Sequence, residues 1–412
     1  MENLQKYKDF IHLFIFLYVV ELSCIKRRGN ISVFAAVYEK ENFMENSKIV
    51  KLGIVGLGRG LGSILDVLDQ PNLKLNAVCD IKPDMIERAK AKLAEHNVFD
   101  VECYTDYDEM LMKADINAVS IATDAIYHVP FVIKAMEAGK HVISEIPAVN
   151  SLEEAKLLKK TVSEHPNLKY MCGENDCFLG NIIAWKKMYE DGKFGDVVYA
   201  EGEYIHTVDY RDIKEPEDKG HWRTFNPAIK YLTHDLGPLL YIMNDRCVSV
   251  TCMVPDVIYN PYKDKVAQNA VALFKTAKGA VIRILILFGA YAGYTHNYCI
   301  YGTRGMIEVD KSKPRREAHS MAMLSDVPGS FNNKIDIPVI CSSFGDKKDG
   351  SHLGLDRKMF KAFIDCIVND TEPPIDVDLG IRMALPGIFA HESYLNGGSA
   401  VDIIDVNDFD KI

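Results

Sequence analysis

Apolar and polar positions follow two different periods along this chain. From Ile49 to Val55 (IVKLGIV) a β-rich run precedes glycines at 56, 58, 60 and 62, and Ile64, Leu65 and Leu68 then fall at helical spacing. That pattern predicts strand, glycine turn and helix. Leu73 to Cys79 reads as a second strand ended by Asp80, and Ala118 to Ala122 (AVSIA) as a buried one. Val129 to Ala138 reads as a helix stopped by Gly139, with strands at His141 to Ser144 and Leu168 to Met171. Alternation of this kind implies an α/β fold on a doubly wound parallel sheet over 48–170. Beyond it, Asp196 to Thr207, Arg246 to Pro255, Ala267 to Thr276, Ala280 to Phe288 and Asn297 to Val309 read as strands, with Ala277-Lys278-Gly279 as a hairpin turn. Residues 171–412 are therefore expected to form a second domain.

The remaining segment, 1–47, holds one long apolar run, Phe10 to Val20, of 11 residues interrupted by His12. It is too short to span a bilayer. No Ala-x-Ala-like site follows it, and Lys26, Arg27 and Arg28 come soon after, so export is not expected. With Met44 just ahead of the first strand, residues 1–43 read as an extension dispensable for the fold and poorly ordered.

Apolar residues make up 48% and charged residues 26%, the proportions of a globular protein, and 412 residues suffice for two cores. A formal charge of -10 leaves no basic excess for nucleic acid, so a small-molecule partner is expected. The ten cysteines lack zinc-type spacing: Cys172 and Cys177, like Cys247 and Cys252, are five apart. They read as reduced thiols of a cytoplasmic protein, with no metal site.

Glycine at 56, 58, 60 and 62, with Arg59 among them, lets backbone N–H groups approach a pyrophosphate at a helix N-terminus. The usual Gly-x-Gly-x-x-Gly pattern is broken by Leu61, with Gly62 one place later. Asp80, 24 residues after Gly56, ends the second strand where an acid can accept hydrogen bonds from ribose hydroxyls. Its charge repels a 2′-phosphate and so favours NAD over NADP.

These features, with IATDAIYH ending at His128, AGKHVISEIPA and the late run NDTEPPIDVDLGIRMALPGIFAHES, resemble the glucose-fructose oxidoreductase, inositol dehydrogenase and MocA-like family. The resemblance covers roughly Lys48 to Phe409. It implies an NAD-binding Rossmann domain followed by an α/β domain whose open, largely antiparallel sheet mediates homo-oligomers. It places Thr123, His128, Glu145 and Pro147 near the cofactor, in a motif that usually reads Glu-Lys-Pro. Here Ile146 occupies the lysine position, and an isoleucine cannot transfer a proton.

The family's catalytic histidine aligns with His234, with Tyr231 beside it and Lys230 at a position usually held by aspartate. Lys230, four residues before His234, would share its side if both are helical, and so stands as a partial replacement for the lost lysine. Tyr204 and His206 share one face of a strand; Glu201 and Glu203 share the other. Trp222 and Arg223 suit stacking on a sugar and binding its hydroxyl or carboxylate groups. Glu174, after the last Rossmann strand, reads as a ligand of substrate hydroxyls or as a helix cap.

Three functions are open. An NAD-dependent sugar or polyol dehydrogenase comes first. The alternative is a family branch of NAD-dependent glycoside hydrolases, similar in the stretches YAEGEYIHT, HWR and YLTHDLGPLL, in which cofactor is recycled. A non-catalytic NAD(H) sensor ranks last, because Tyr231, His234, His206 and Arg223 are retained.

Overall fold

The computed structural model describes residues 49–207, 226–257, 267–313, 319–337 and 354–411. Trp222 and Arg223, and the segment 1–47, lie outside the described residues.

The first sheet has six strands: β1 (Val50–Val55), β2 (Leu73–Cys79), β3 (Glu102–Tyr104), β4 (Ala118–Ile121), β5 (His141–Ser144) and β6 (Tyr170–Cys172). All neighbours are parallel, in the order β3-β2-β1-β4-β5-β6. Such a sheet is covered on both faces, which is why β4 is buried at every position and β1 at all but Lys51. The helices between the strands are α1 (Arg59–Leu65), α2 (Pro83–Glu95), α3 (Tyr107–Lys113), α4 (His128–Glu137) and α5 (Leu152–Glu164). Two of them start on side-chain caps: Asp106 accepts from Glu109 N, and Ser151 from Glu154 N. Gly139 (φ 74°) ends α4 as the sequence implies.

After α6 (Gly180–Glu190) the chain builds a nine-stranded mixed sheet. Its strands are β7 (Val197–His206), β8 (Cys247–Met253), β9 (Asn269–Thr276), β10 (Val281–Leu287), β11 (Tyr294–Gly302), β12 (Gly305–Val309), β13 (Ser320–Leu324), β14 (Ile335–Ile337) and β15 (Val401–Asp402). Only β7 and β10 pair in parallel; the other neighbours are antiparallel. The single strand read over Asn297 to Val309 is in fact two, β11 and β12, joined by a turn at Thr303-Arg304. Gly302 and Gly305 make that turn possible, since a Cβ there would meet the backbone oxygens of Phe194 and Lys193 at 2.1 and 2.8 Å.

One face of this sheet is covered by α7 (Thr233–Met243), which packs on β7 and β11, and by α9 (Val377–Leu395), which lies on β8. The last helices, α8 (Leu355–Asn369) and α9, also return to the first sheet: α9 packs on α5, and Cys172 N donates to Ile375 O. The chain therefore passes between the two sheets more than once. No helix among the described residues is long and apolar enough to cross a membrane.

Gly56 fixes the exit from β1: its φ is 90°, and a Cβ would lie 2.4 Å from Ala122 O. Gly56→Ala combines backbone strain of about 1–3 kcal/mol with that clash. Thermal denaturation should show a Tm lowered by several degrees; an unchanged Tm would contradict the assignment.

Candidate active site

At the cofactor end, the glycines divide the work. Gly56 makes the turn, and around Gly58 nothing lies within 4 Å of a would-be Cβ, which leaves the approach to the turn open. A Cβ on Gly60 would sit 3.0 Å from Ala122 Cβ and 3.1 Å from Ile54, so Gly60 provides the close helix-to-strand packing usually given by the third glycine. Leu61 consequently points into the core, 3% exposed, and Gly62 lies within α1. Asp80 Oδ2 accepts from Leu57 N (2.8 Å) and Oδ1 from Lys82 N (2.9 Å), which fixes the acid against the glycine turn. An open turn with an oriented carboxylate at its rim fits a dinucleotide without a 2′-phosphate.

Thr123 and Pro147 belong to loops held together from below by His128. This ring is buried, with Nδ1 3.0 Å from Pro147 O and Nε2 3.1 Å from Thr123 O. Burial lowers its pKa, and a neutral imidazole donates to one carbonyl at a time. His128 thus supports the cleft rather than lining it. Arg59 is likewise engaged, with two hydrogen bonds to Asp356 of α8 (2.9 and 2.8 Å), one to Ser63 Oγ (2.6 Å) and Glu145 at 3.6 Å. Burial works against its charge, but Glu145 and Asp356 outweigh it and raise the Arg59 pKa. Burial also raises the Glu145 pKa, with Arg59 opposing. Ile146, 4% exposed, is part of the hydrophobic core.

The second group of residues gathers on α7. Glu174 is fully buried, and its Oε1 accepts from Asp176 N (3.0 Å) and faces His234 Nδ1 at 2.7 Å. The expectation that Glu174 binds substrate hydroxyls is corrected: the carboxylate orients His234 from inside, and the helix-cap reading becomes a cap on the 3-10 turn Asn175–Phe178. A carboxylate only accepts, so Nδ1 is the nitrogen that donates to it.

Lys230 does not share a helix with His234. It sits in the 3-10 turn Ala228–Tyr231, with Leu232 between that turn and α7. It faces Glu154 and His391, and burial lowers its pKa. The partial replacement of the lost lysine by Lys230 is therefore not supported: the change of helix type aims the amine toward α5 and α9.

Tyr204 and His206 project from β7 on one face, while Glu201 and Glu203 on the other bind Arg283 at 2.7 and 2.9 Å. A Cβ at Gly202 would lie 2.7 Å from Asp235 O, so this glycine lets α7 settle directly on β7. The Tyr204 ring then stands 5.4 Å from His234, 6.3 Å from Tyr231 and 5.8 Å from His206 between centroids.

Three residues here escaped the sequence reading. His296 packs on Tyr204 (4.2 Å between centroids), and its Nδ1 lies 2.9 Å from Asp176 Oδ2. Tyr298 OH lies 2.5 Å from His234 O and 3.2 Å from Asp176 Oδ2. The alternation His296, Tyr298 was the available signal, but a strand begun at Asn297 instead of Tyr294 left His296 outside it. Glu174, Asp176 and His234 offer atoms within 4.8 Å of one another, close enough for a cation, yet the short contacts pair acids with imidazoles.

Residues 50–173 match the model described as "Oxidoreductase family, NAD-binding Rossmann fold", and residues 182–308 the GFO/IDH/MocA C-terminal domain. The chain belongs to the Gfo/Idh/MocA oxidoreductase family. Its first domain is an NAD-binding Rossmann domain. Residues 263–411 also match the C-terminal domain of glycosyl hydrolase family 109. Relatives include an alpha-N-acetylgalactosaminidase of Tannerella forsythia, 26% identical over 90% of this chain and 89% of that protein. A glycosyl hydrolase family 109 protein of Shewanella sp. (strain ANA-3) is 27% identical over 87% of this chain and 85% of its own length. Among solved structures, levoglucosan dehydrogenase in complex with NADH superposes with a TM-score of 0.74 at 19% identity, covering 87% of this chain and all of that one. Scyllo-inositol dehydrogenase from Lactobacillus casei with NAD(H) and scyllo-inositol gives 0.68 at 21%, covering 86% and 99%.

If Glu174 acts by holding the His234 tautomer, Glu174→Gln should lower kcat on the order of 10²–10⁴-fold with little change in KM. Steady-state kinetics check this; a change confined to KM would return Glu174 to substrate binding.

Proposed function

We propose that this protein is an NAD-dependent glycoside hydrolase that oxidises a ring hydroxyl transiently, releases the aglycone by elimination and keeps its cofactor. The observation that carries the proposal is Ile146. It stands buried in place of the lysine that a net dehydrogenase of this family uses, in a chain whose residues 263–411 match the glycosyl hydrolase family 109 domain.

The turn at Gly56 and Gly58, with Asp80 at its edge, would hold NAD, which when bound would supply a reversible hydride acceptor. His234 Nε2 takes the hydroxyl proton, and Glu174 stabilises the imidazolium that results. The ketone acidifies the neighbouring C–H, so loss of that proton drives the glycosidic oxygen off with the bonding electron pair. Tyr204, His206 and Tyr231, with Trp222 and Arg223, bind the sugar and exclude water around it. Thr123, Glu145 and Pro147 line the cofactor side. We further infer a homo-oligomer in which a second copy covers the outer face of the nine-stranded sheet, where Val271 (40%) and Leu273 (48%) are exposed.

Net dehydrogenation is the second reading, favoured by the dehydrogenases that share the fold. Incubation of purified protein with aryl glycosides, an aryl α-N-acetylgalactosaminide among them, separates the two. Aglycone release without NADH accumulation is expected, at a rate that EDTA leaves unchanged. NADH rising in step with an oxidised sugar would establish the dehydrogenase; loss of rate with EDTA would place a cation at Glu174, Asp176 and His234.

A further inference from the structure

The active site contains two histidine–carboxylate pairs, and a simple sugar oxidation uses one. Glu174 and Asp176 are two residues apart in one tight turn, yet they serve histidines from different elements, His234 on α7 and His296 on β11. His296 is in register with Tyr204 on the neighbouring strand, so both side chains lie on the same face of the sheet, with the His296 and His234 rings 5.6 Å apart. Tyr298, on the same face of β11, bridges Asp176 and the His234 carbonyl. Asp176 and His296 are 2% and 3% exposed. A buried pair of this kind is seldom worth its desolvation for stability alone, which points to a chemical use.

We propose that His296, paired with Asp176, is a second proton-transfer group that removes the C–H proton next to the transient ketone. The proposal rests on the hydrolase reading above and deepens it. Its chemical reason is a count of protons. His234 takes a proton when the hydroxyl is oxidised and is the donor when the ketone is reduced again. A single imidazole cannot accept a second proton in the interval. The elimination needs its own base: His296 Nε2 takes the C–H proton, the C–H electrons form a carbon–carbon double bond, and the glycosidic C–O bond breaks. The leaving oxygen carries off the electron pair and takes a proton from water. Addition of water to the unsaturated ketone, with return of a proton to the same carbon, restores the ring. NAD held at the glycine turn would supply the oxidant for the first step and, as the NADH so formed, the reductant for the last, so no further co-reactant is needed.

While the aglycone leaves and water enters, the proton on His296 exchanges with solvent, so in D2O a deuteron is returned and sugar released by the wild-type holoenzyme should carry deuterium on carbon, read by mass spectrometry. His296→Gln should slow aglycone release about 10²-fold while the absorbance rise of cofactor reduction survives on mixing with glycoside. His234→Gln should lose that rise too. Asp176→Asn should slow aglycone release with the same selectivity, and it keeps the test open if His296→Gln disturbs packing on Tyr204. Release by His296→Gln within about threefold of wild type would overturn the proposal. So would a loss of cofactor reduction in both His296→Gln and Asp176→Asn as deep as in His234→Gln. If the wild type itself accumulates NADH and incorporates no deuterium, the hydrolase reading fails, and that outcome is distinct from failure of the His296 assignment.

Discussion

The contact between Glu174 Oε1 and His234 Nδ1, 2.7 Å long and wholly interior, is the constraint on which this active site depends. A carboxylate with no exposed surface must have a partner; removing the imidazole would leave a buried charge at a cost of about 3–5 kcal/mol. Glu174 belongs to the turn after β6 and His234 to a helix of the second sheet, so the contact holds only if α7 packs tightly against both. Gly202 and Gly237 provide the space. A Cβ on the first would press on Asp235, and one on the second would meet Glu174 Cγ at 3.3 Å and Met383 Sδ at 3.1 Å. Two glycines in otherwise regular elements thus set the position of His234.

A second tie works at the cofactor end. Arg59 leaves the glycine turn to grip Asp356 of α8, while Asp80 holds the same turn from β2. The turn that receives the dinucleotide is therefore anchored both to its own sheet and to a helix from the end of the chain. Ile146, in the motif that follows β5, puts a hydrocarbon side chain into the hydrophobic core.

Much of this was legible in the residues. Period and glycine placement foretold the parallel sheet, because a strand covered on both faces has no polar side. The alternation of Tyr204 and His206 against Glu201 and Glu203 was readable for the complementary reason, since β7 has one face toward the site and one toward Arg283. What could not be read were contacts between residues far apart in sequence. Glu174 resembled a ligand because its position at the carboxyl edge of a sheet is where ligands collect, and nothing local showed that α7 would cover it. His296 and Asp176 are 120 residues apart and meet only once β11 is seated beside β7. Lys230 misled through an assumption of continuous helix that the 3-10 turn breaks.

The central claim is that the cofactor is a recycled tool. Rapid mixing of NAD-loaded protein with a glycoside, followed through NADH absorbance, tests it most directly. The account predicts that reduced cofactor appears early, stays below one equivalent per active site through many turnovers, and returns to its starting level when the glycoside is spent. A steady rise beyond one equivalent, matched by oxidised sugar in solution, would contradict it.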